Sequence, residues 1–177
     1  MIEKAAIGIN EILAVNEHEF LVIERDRKAG HSAKIKKIYK IDISQATDIT
    51  QLASLPKDTI PQGIIPVEKK LFIDLLDPVY GLVNNKLPEK FEGLAFGPDL
   101  KDGRHLLLVT TDNDFDIKQP SRFYAFAVDR SDLPEFKSQR FYDYKLYTFL
   151  VILGILWAGI GIGILVKKKS NQRRRIL

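Results

Sequence analysis

Residues 91–112, FEGLAFGPDLKDGRHLLLVTTD, decide how the chain folds. Two short apolar runs, Leu94-Ala95-Phe96 and Leu106-Leu107-Leu108, flank Asp102-Gly103. An Asp-Gly pair between such runs is a hairpin signal, because glycine takes the positive φ that a tight turn needs. The same grammar stands nearer the N-terminus, where the polar Asn16-Glu17-His18-Glu19 separates Ile12–Val15 from Phe20–Ile23. Laid side by side, the two regions form a repeat. Glu11-Ile12-Leu13-Ala14-Val15 matches Glu92-Gly93-Leu94-Ala95-Phe96, Leu21–Asp26 matches Leu107–Asp112, and Ile38–Asp42 matches Tyr124–Asp129 with a small shift. Each unit reads as three consecutive antiparallel strands, the blade unit of a β-propeller, in which the first strand lines the central channel.

Between the units, VEKKLFIDLL at 67–76 is ambiguous in period. Val67, Leu71 and Leu75 suit a helix face, whereas Leu71-Phe72-Ile73 suits an outermost strand, which is the reading adopted here. Pro56, Pro61, Gly63 and Pro66 mark the stretch before it as a long loop. Blades of about 40–45 residues give about three of them, fewer than the four that closure requires. The expected fold is therefore all-β, a partial β-propeller over residues 1–130. Met1-Ile2-Glu3-Lys4 opens no apolar stretch, so the sequence reads as the C-terminal part of a longer protein, the alternative being a tail-anchored chain whose domain faces the cytoplasm.

Among the 177 residues there is no cysteine, which excludes zinc–cysteine sites, iron–sulfur clusters and thiol catalysis. The formal charge of +4 is unevenly placed. Residues 1–143 hold 20 Lys/Arg against all 23 Asp/Glu, a net −3, while the last 34 residues hold seven basic side chains and no acid. A nucleic-acid partner is not expected of a mildly acidic domain. Leu146–Val166, LYTFLVILGILWAGIGIGILV, is uncharged and long enough to span a bilayer as a helix. Lys167-Lys168-Lys169 then stops transfer, 167–177 is a basic cytoplasmic tail, 131–145 is a juxtamembrane linker, and the main domain lies outside. These features describe a single-pass protein of the cell membrane with lipid as a partner through 146–166. Gly159 and Gly163 stand at the spacing that lets two such helices approach, so self-association is a further expectation.

The elements Ile9-Asn10-Glu11-Ile12, LVIERD at 21–26, Lys37–Asp42 with Ala46-Thr47-Asp48, Phe91–Ala95, Asp102-Gly103-Arg104 and Asp112–Phe115 follow one another in a specific order. In that order they resemble the C-terminal half of the phytase-like domain described as "esterase-like activity of phytase", over about residues 6–130. The resemblance implies a secreted or membrane-attached propeller, distantly similar to calcium-dependent phytases, and a hydrolase of phosphate or other esters. The family's N-terminal half, with its own Glu-Gly strand, has no counterpart here, so a fragment that is inactive by itself is expected. The alternative is a non-catalytic extracellular propeller that binds a ligand at the membrane.

Glu11 and Glu92 begin the first strands, and Glu24, Asp26, Asp112 and Asp114 end the second strands. In a propeller these carboxylates would meet near the channel mouth. Such a set suits calcium, which takes six to eight oxygen ligands and can bridge a phosphate or polarise a water. Glu92 and Asp112 are the candidate catalytic residues, and all six are candidate metal ligands. The alternative for each is local: Asp after a strand makes side-chain-to-backbone turns, and Glu-Gly begins a strand. Asp112-x-Asp114-x-Asp116 is no EF-hand, since Ile117 and Phe123 stand where glycine and glutamate are needed. There is no Gly-x-Ser-x-Gly elbow, and His18, His31 and His105 are isolated. Lys34, Lys36 and Lys37 read as charges on a solvent-facing strand.

Overall fold

The computed structural model describes residues 6, 8–57, 59–84 and 86–138. Seven strands form there: β1 (Ile9–Ala14), β2 (Glu19–Arg25), β3 (Lys36–Asp42), β4 (Glu68–Asp74), β5 (Phe91–Phe96), β6 (His105–Thr111) and β7 (Phe123–Val128). They make two antiparallel sheets, of order β1-β2-β3-β4 and β5-β6-β7. The described region is thus all-β, and the repeated units are its two sheets. Short 3-10 turns occur at Gly30–Ser32 and Pro78–Tyr80, with no α-helix among the described residues. Leu71-Phe72-Ile73 lies in β4, the outermost strand of the first sheet.

Two sheets stand where chain length alone gave about three blades, and the described residues do not close into a ring. The connection from Ile43 to Val67 carries no strand among its described residues, so it takes up length that the blade arithmetic assigned to strands. No helix among the described residues is long and apolar enough to cross a membrane. The apolar stretch 146–166, with Gly159 and Gly163, and the basic tail 167–177 lie outside the described residues.

Both hairpins form where their turn chemistry put them. The Val15 amide donates to the Glu19 carbonyl at 2.9 Å, and the Asn16 side-chain oxygen accepts from the His18 and Glu19 amides at 3.0 and 2.8 Å. Asn16 therefore builds the first turn from its own side chain. Asn16→Ala is expected to cost about 1–2 kcal/mol, since two amide hydrogen bonds are lost at a partly covered site. An unchanged urea midpoint by circular dichroism would show that the turn does not depend on it. In the second hairpin the Leu100 amide donates to the Arg104 carbonyl at 2.8 Å, and Gly103 takes φ of +90°.

Each first strand carries a bulge at its start. Ile9 pairs with Glu24 and Glu11 with Ile23, leaving Asn10 as the extra residue. Phe91 pairs with Thr111 and Gly93 with Thr110, leaving Glu92. Glu92 and Glu11 are therefore not equivalent: the counterpart of Glu92 is Asn10, and Glu11 is a paired strand residue. Bulges re-aim a side chain, which frees Glu92 from the alternation of its strand. Gly93 is required beside it, because a Cβ there would sit 2.2 Å from the Thr110 hydroxyl.

The core lies between the sheets, with β1 facing β5. Leu21, Ile23, Ile38 and Ile73 bury against Phe91, Leu94, Leu107 and Val109. The packing continues past β7: Leu133 is fully buried and the Phe136 ring stacks on Phe96 at 3.9 Å.

Candidate functional site

One rim of the molecule collects the ends of β2 and β6 and the starts of β3, β5 and β7. Two backbone bonds tie its loops together, from the Gly30 amide to the Leu87 carbonyl at 2.9 Å and from the Asp112 amide to the Lys90 carbonyl at 3.1 Å. Between these loops lies a cleft of about 520 Å³, lined chiefly by Lys86, Glu89, Asp112, Lys118, Gln119 and Arg122. Two larger hollows, of about 630 and 590 Å³, hold none of the candidate carboxylates.

Arg25, at the end of β2, is the hub beside this cleft. Its side chain is 5% exposed, it is bonded to Glu92, and it stands 3.8 Å from Glu89. The next residue, Asp26, is buried and organises the loop that follows. Its carboxylate accepts from the Lys36 ammonium at 2.8 Å and from the Lys34 and Ile35 amides at 2.7 and 3.2 Å. Burial raises the Asp26 carboxyl, but the hydrogen bonds from Lys36 and the Lys34 amide outweigh it and hold the group below its ordinary value. Burial pushes the Lys36 ammonium down, and Asp26 offsets this only in part. Lys36 is fully buried and not on a solvent-facing strand: the start of β3 is covered by the loop that Asp26 folds over it.

The other candidate carboxylates are dispersed. Glu24 alternates to the opposite face of β2 from Arg25 and accepts from the Lys69 ammonium at 2.8 Å. Glu11 folds back on the Ile12 amide at 2.8 Å. Asp114 pairs with Lys90, whose hydrogen bond holds the carboxyl below its ordinary value, with Asp112 contributing less. Asp112 accepts from the Asn113 amide at 2.8 Å, the local turn use of an acid after a strand. Asp26, Glu92, Asp112 and Asp114 thus belong to one rim, whereas Glu11 and Glu24 do not join it.

This placement decides how calcium fits. Four of the six carboxylates are held by cations, Glu24 by Lys69, Asp26 by Lys36, Glu92 by Arg25 and Asp114 by Lys90. No group of three or more His, Asp or Glu side chains among the described residues converges as a metal site. Calcium's six to eight oxygens are not supplied by these residues as they stand. The histidines do no better. His105 is buried, with Nδ1 2.8 Å from Asp99, and the Ser138 hydroxyl donates to the same carboxylate at 2.9 Å. The carboxylate, not the imidazole, lies between them, so the trio lacks the serine–histidine bond of a triad and anchors the segment after β7.

A model of the phytase-like family, described as esterase-like activity of phytase, matches residues 2–115. The chain belongs to this family. No curated protein and no solved structure matches it. The phytase-like match runs from β1 through β6 and ends inside the 112–122 loop. Glu89 and Asp112 of the cleft therefore lie within the phytase-like region, and Lys118 and Arg122 lie beyond it. The cations of the rim were not legible as site residues. Arg25 stands in the LVIERD run between the candidate acids Glu24 and Asp26, and only the packing of the first sheet against the second brings it to Glu92.

Proposed function

We propose that the phytase-like unit is part of a hydrolase of phosphate or other esters, with the cleft that holds Asp112 as its substrate site. The family match carries this reading, and the cleft supports it by joining an acid to cations that have no acidic partner among the described residues. In the proposal Asp112 exchanges the proton of the attacking water or leaving group. Glu92 is a positioning residue: through Arg25 it orders Glu89 at the cleft wall. No step is assigned to calcium, because the carboxylates it would need are held by cations.

The test is hydrolysis of p-nitrophenyl phosphate and p-nitrophenyl acetate by the full chain. Asp112→Asn is expected to lower kcat by about 10²–10⁴-fold, the range for a lost general acid or base. Equal rates above the blank for the two proteins would remove Asp112 from the chemistry, whereas no turnover in either is the result expected of a fragment that is inactive by itself. The second reading, a non-catalytic binding module, is favoured by the ion pairing of Glu92 and Asp114. Saturable ligand binding without turnover is its signature.

The wider architecture belongs to the same proposal. The two sheets are neighbouring blades of a partial propeller, a reading supported by β1 facing β5 as the innermost strands and by exposed Ile12 and Leu71 on the first sheet. Residues 146–166 anchor the unit in the cell membrane with the domain outside, and Gly159 and Gly163 pair two anchors. The support is the uncharged length of that stretch and the basic group after it.

A further inference from the structure

Three cations of this rim are spoken for: Arg25, Lys36 and Lys90 each hold an acid. Lys86, Lys118 and Arg122 differ. All three line the cleft, and none has an acidic partner among the described residues. Arg122 is also fixed in place. Its amide donates to the Thr111 hydroxyl at 3.0 Å, its carbonyl accepts from the Thr111 amide at 3.0 Å, and Nη1 donates to the Lys86 carbonyl at 2.7 Å. One edge of the guanidinium is thus anchored on backbone, and its Nε and Nη2 donors remain for a ligand. An oriented planar fork beside two ammonium groups is the donor set that recognises a tetrahedral or carboxylate oxyanion. The acids of the same cleft do not cancel it, since Glu89 faces Arg25 and Asp112 is then one acid against three cations.

We propose that Arg122, Lys86 and Lys118 form an oxyanion subsite, which holds the phosphoryl or an equivalent dianionic group of the substrate without a divalent cation. The proposal rests on the reading of this cleft as the substrate site. Fixed side-chain cations here supply the positive charge that a bridging metal would otherwise bring. Lys86 lies within the phytase-like match, and Lys118 and Arg122 lie past its last residue.

Binding of inorganic phosphate to the full chain in detergent micelles, followed by calorimetry in EDTA at fixed ionic strength, tests this. Saturable binding is expected, weakened at least tenfold by Arg122→Gln and by Lys118→Gln and unchanged by Lys101→Gln on the β5–β6 turn. Adding calcium in place of EDTA is expected to leave the affinity within twofold. Lys118→Gln removes no side-chain hydrogen bond, so it remains informative even where Arg122→Gln fails to fold. Binding that appears only with calcium, or an equal loss in Lys101→Gln, would overturn the subsite. Phenyl phosphate binding more tightly than phosphate identifies an ester as the ligand, and the reverse order identifies the free anion; both require the same subsite. Phosphate binding in EDTA without ester turnover keeps the subsite and removes the hydrolase. Turnover without such binding does the opposite.

Discussion

Lys36→Ala is expected to lower folding stability by about 3–5 kcal/mol, because it leaves a buried carboxylate without its counter-charge. The Lys36 ammonium has no exposed surface and donates to both the side chain and the carbonyl of Asp26, at 2.8 and 2.9 Å. Urea denaturation followed by circular dichroism gives the loss, and the double variant Lys36→Met, Asp26→Asn should lose less than Lys36→Ala alone. A loss under about 1 kcal/mol for the single variant would mean that water reaches Asp26. The pH dependence has a definite sign. Asp26 is depressed in the folded state, so its stabilisation is present above the ordinary carboxylate value and disappears as pH falls through the folded one. Lys36 is depressed as well, so the unfolded chain holds more protons between the folded value and the ordinary lysine value, and stability rises with pH across that window. The double variant should show neither slope.

Phe91→Ala is the second large effect, a loss of about 3–5 kcal/mol, the range for emptying a buried aromatic site. Phe91 has no exposed surface and packs its ring at 5.4 Å from Tyr124, so it joins the first and last strands of the second sheet. It also belongs to the cluster shared with Leu21, Ile23 and Ile38 of the first sheet. The same urea experiment reads the loss. A shift comparable to that of a surface substitution would mean that the two sheets do not rely on this contact.

The strands were legible because their side chains alternate and their turns contain Asn16 and Asp102-Gly103, both of which act within a few residues. VEKKLFIDLL was harder, since its helical and extended periods coincide over so short a run, and only the partner strand β3 separates them. Two sheets stand in place of about three strand units because a loop that carries Pro56, Pro61 and Pro66 occupies length without making a strand. At the site, the acids were visible and their partners were not. Glu92 and Arg25 are 67 positions apart, and no local pattern links them. Lys36 looked solvated because charges alternated around it, whereas the Asp26 loop closes over the strand start. The equivalence of Glu11 and Glu92 failed for a geometric reason, since a one-residue bulge is silent in an alignment of repeats.

The order in which the two sheets leave the ribosome matters for a core that they share. Leu21, Ile23, Ile38 and Ile73 are complete as a surface once β4 is made, yet Leu107 and Val109 that cover them come more than thirty residues later. At about 5–20 residues per second this leaves a greasy half-molecule waiting for several seconds, a period in which it invites chaperones or a neighbouring nascent chain.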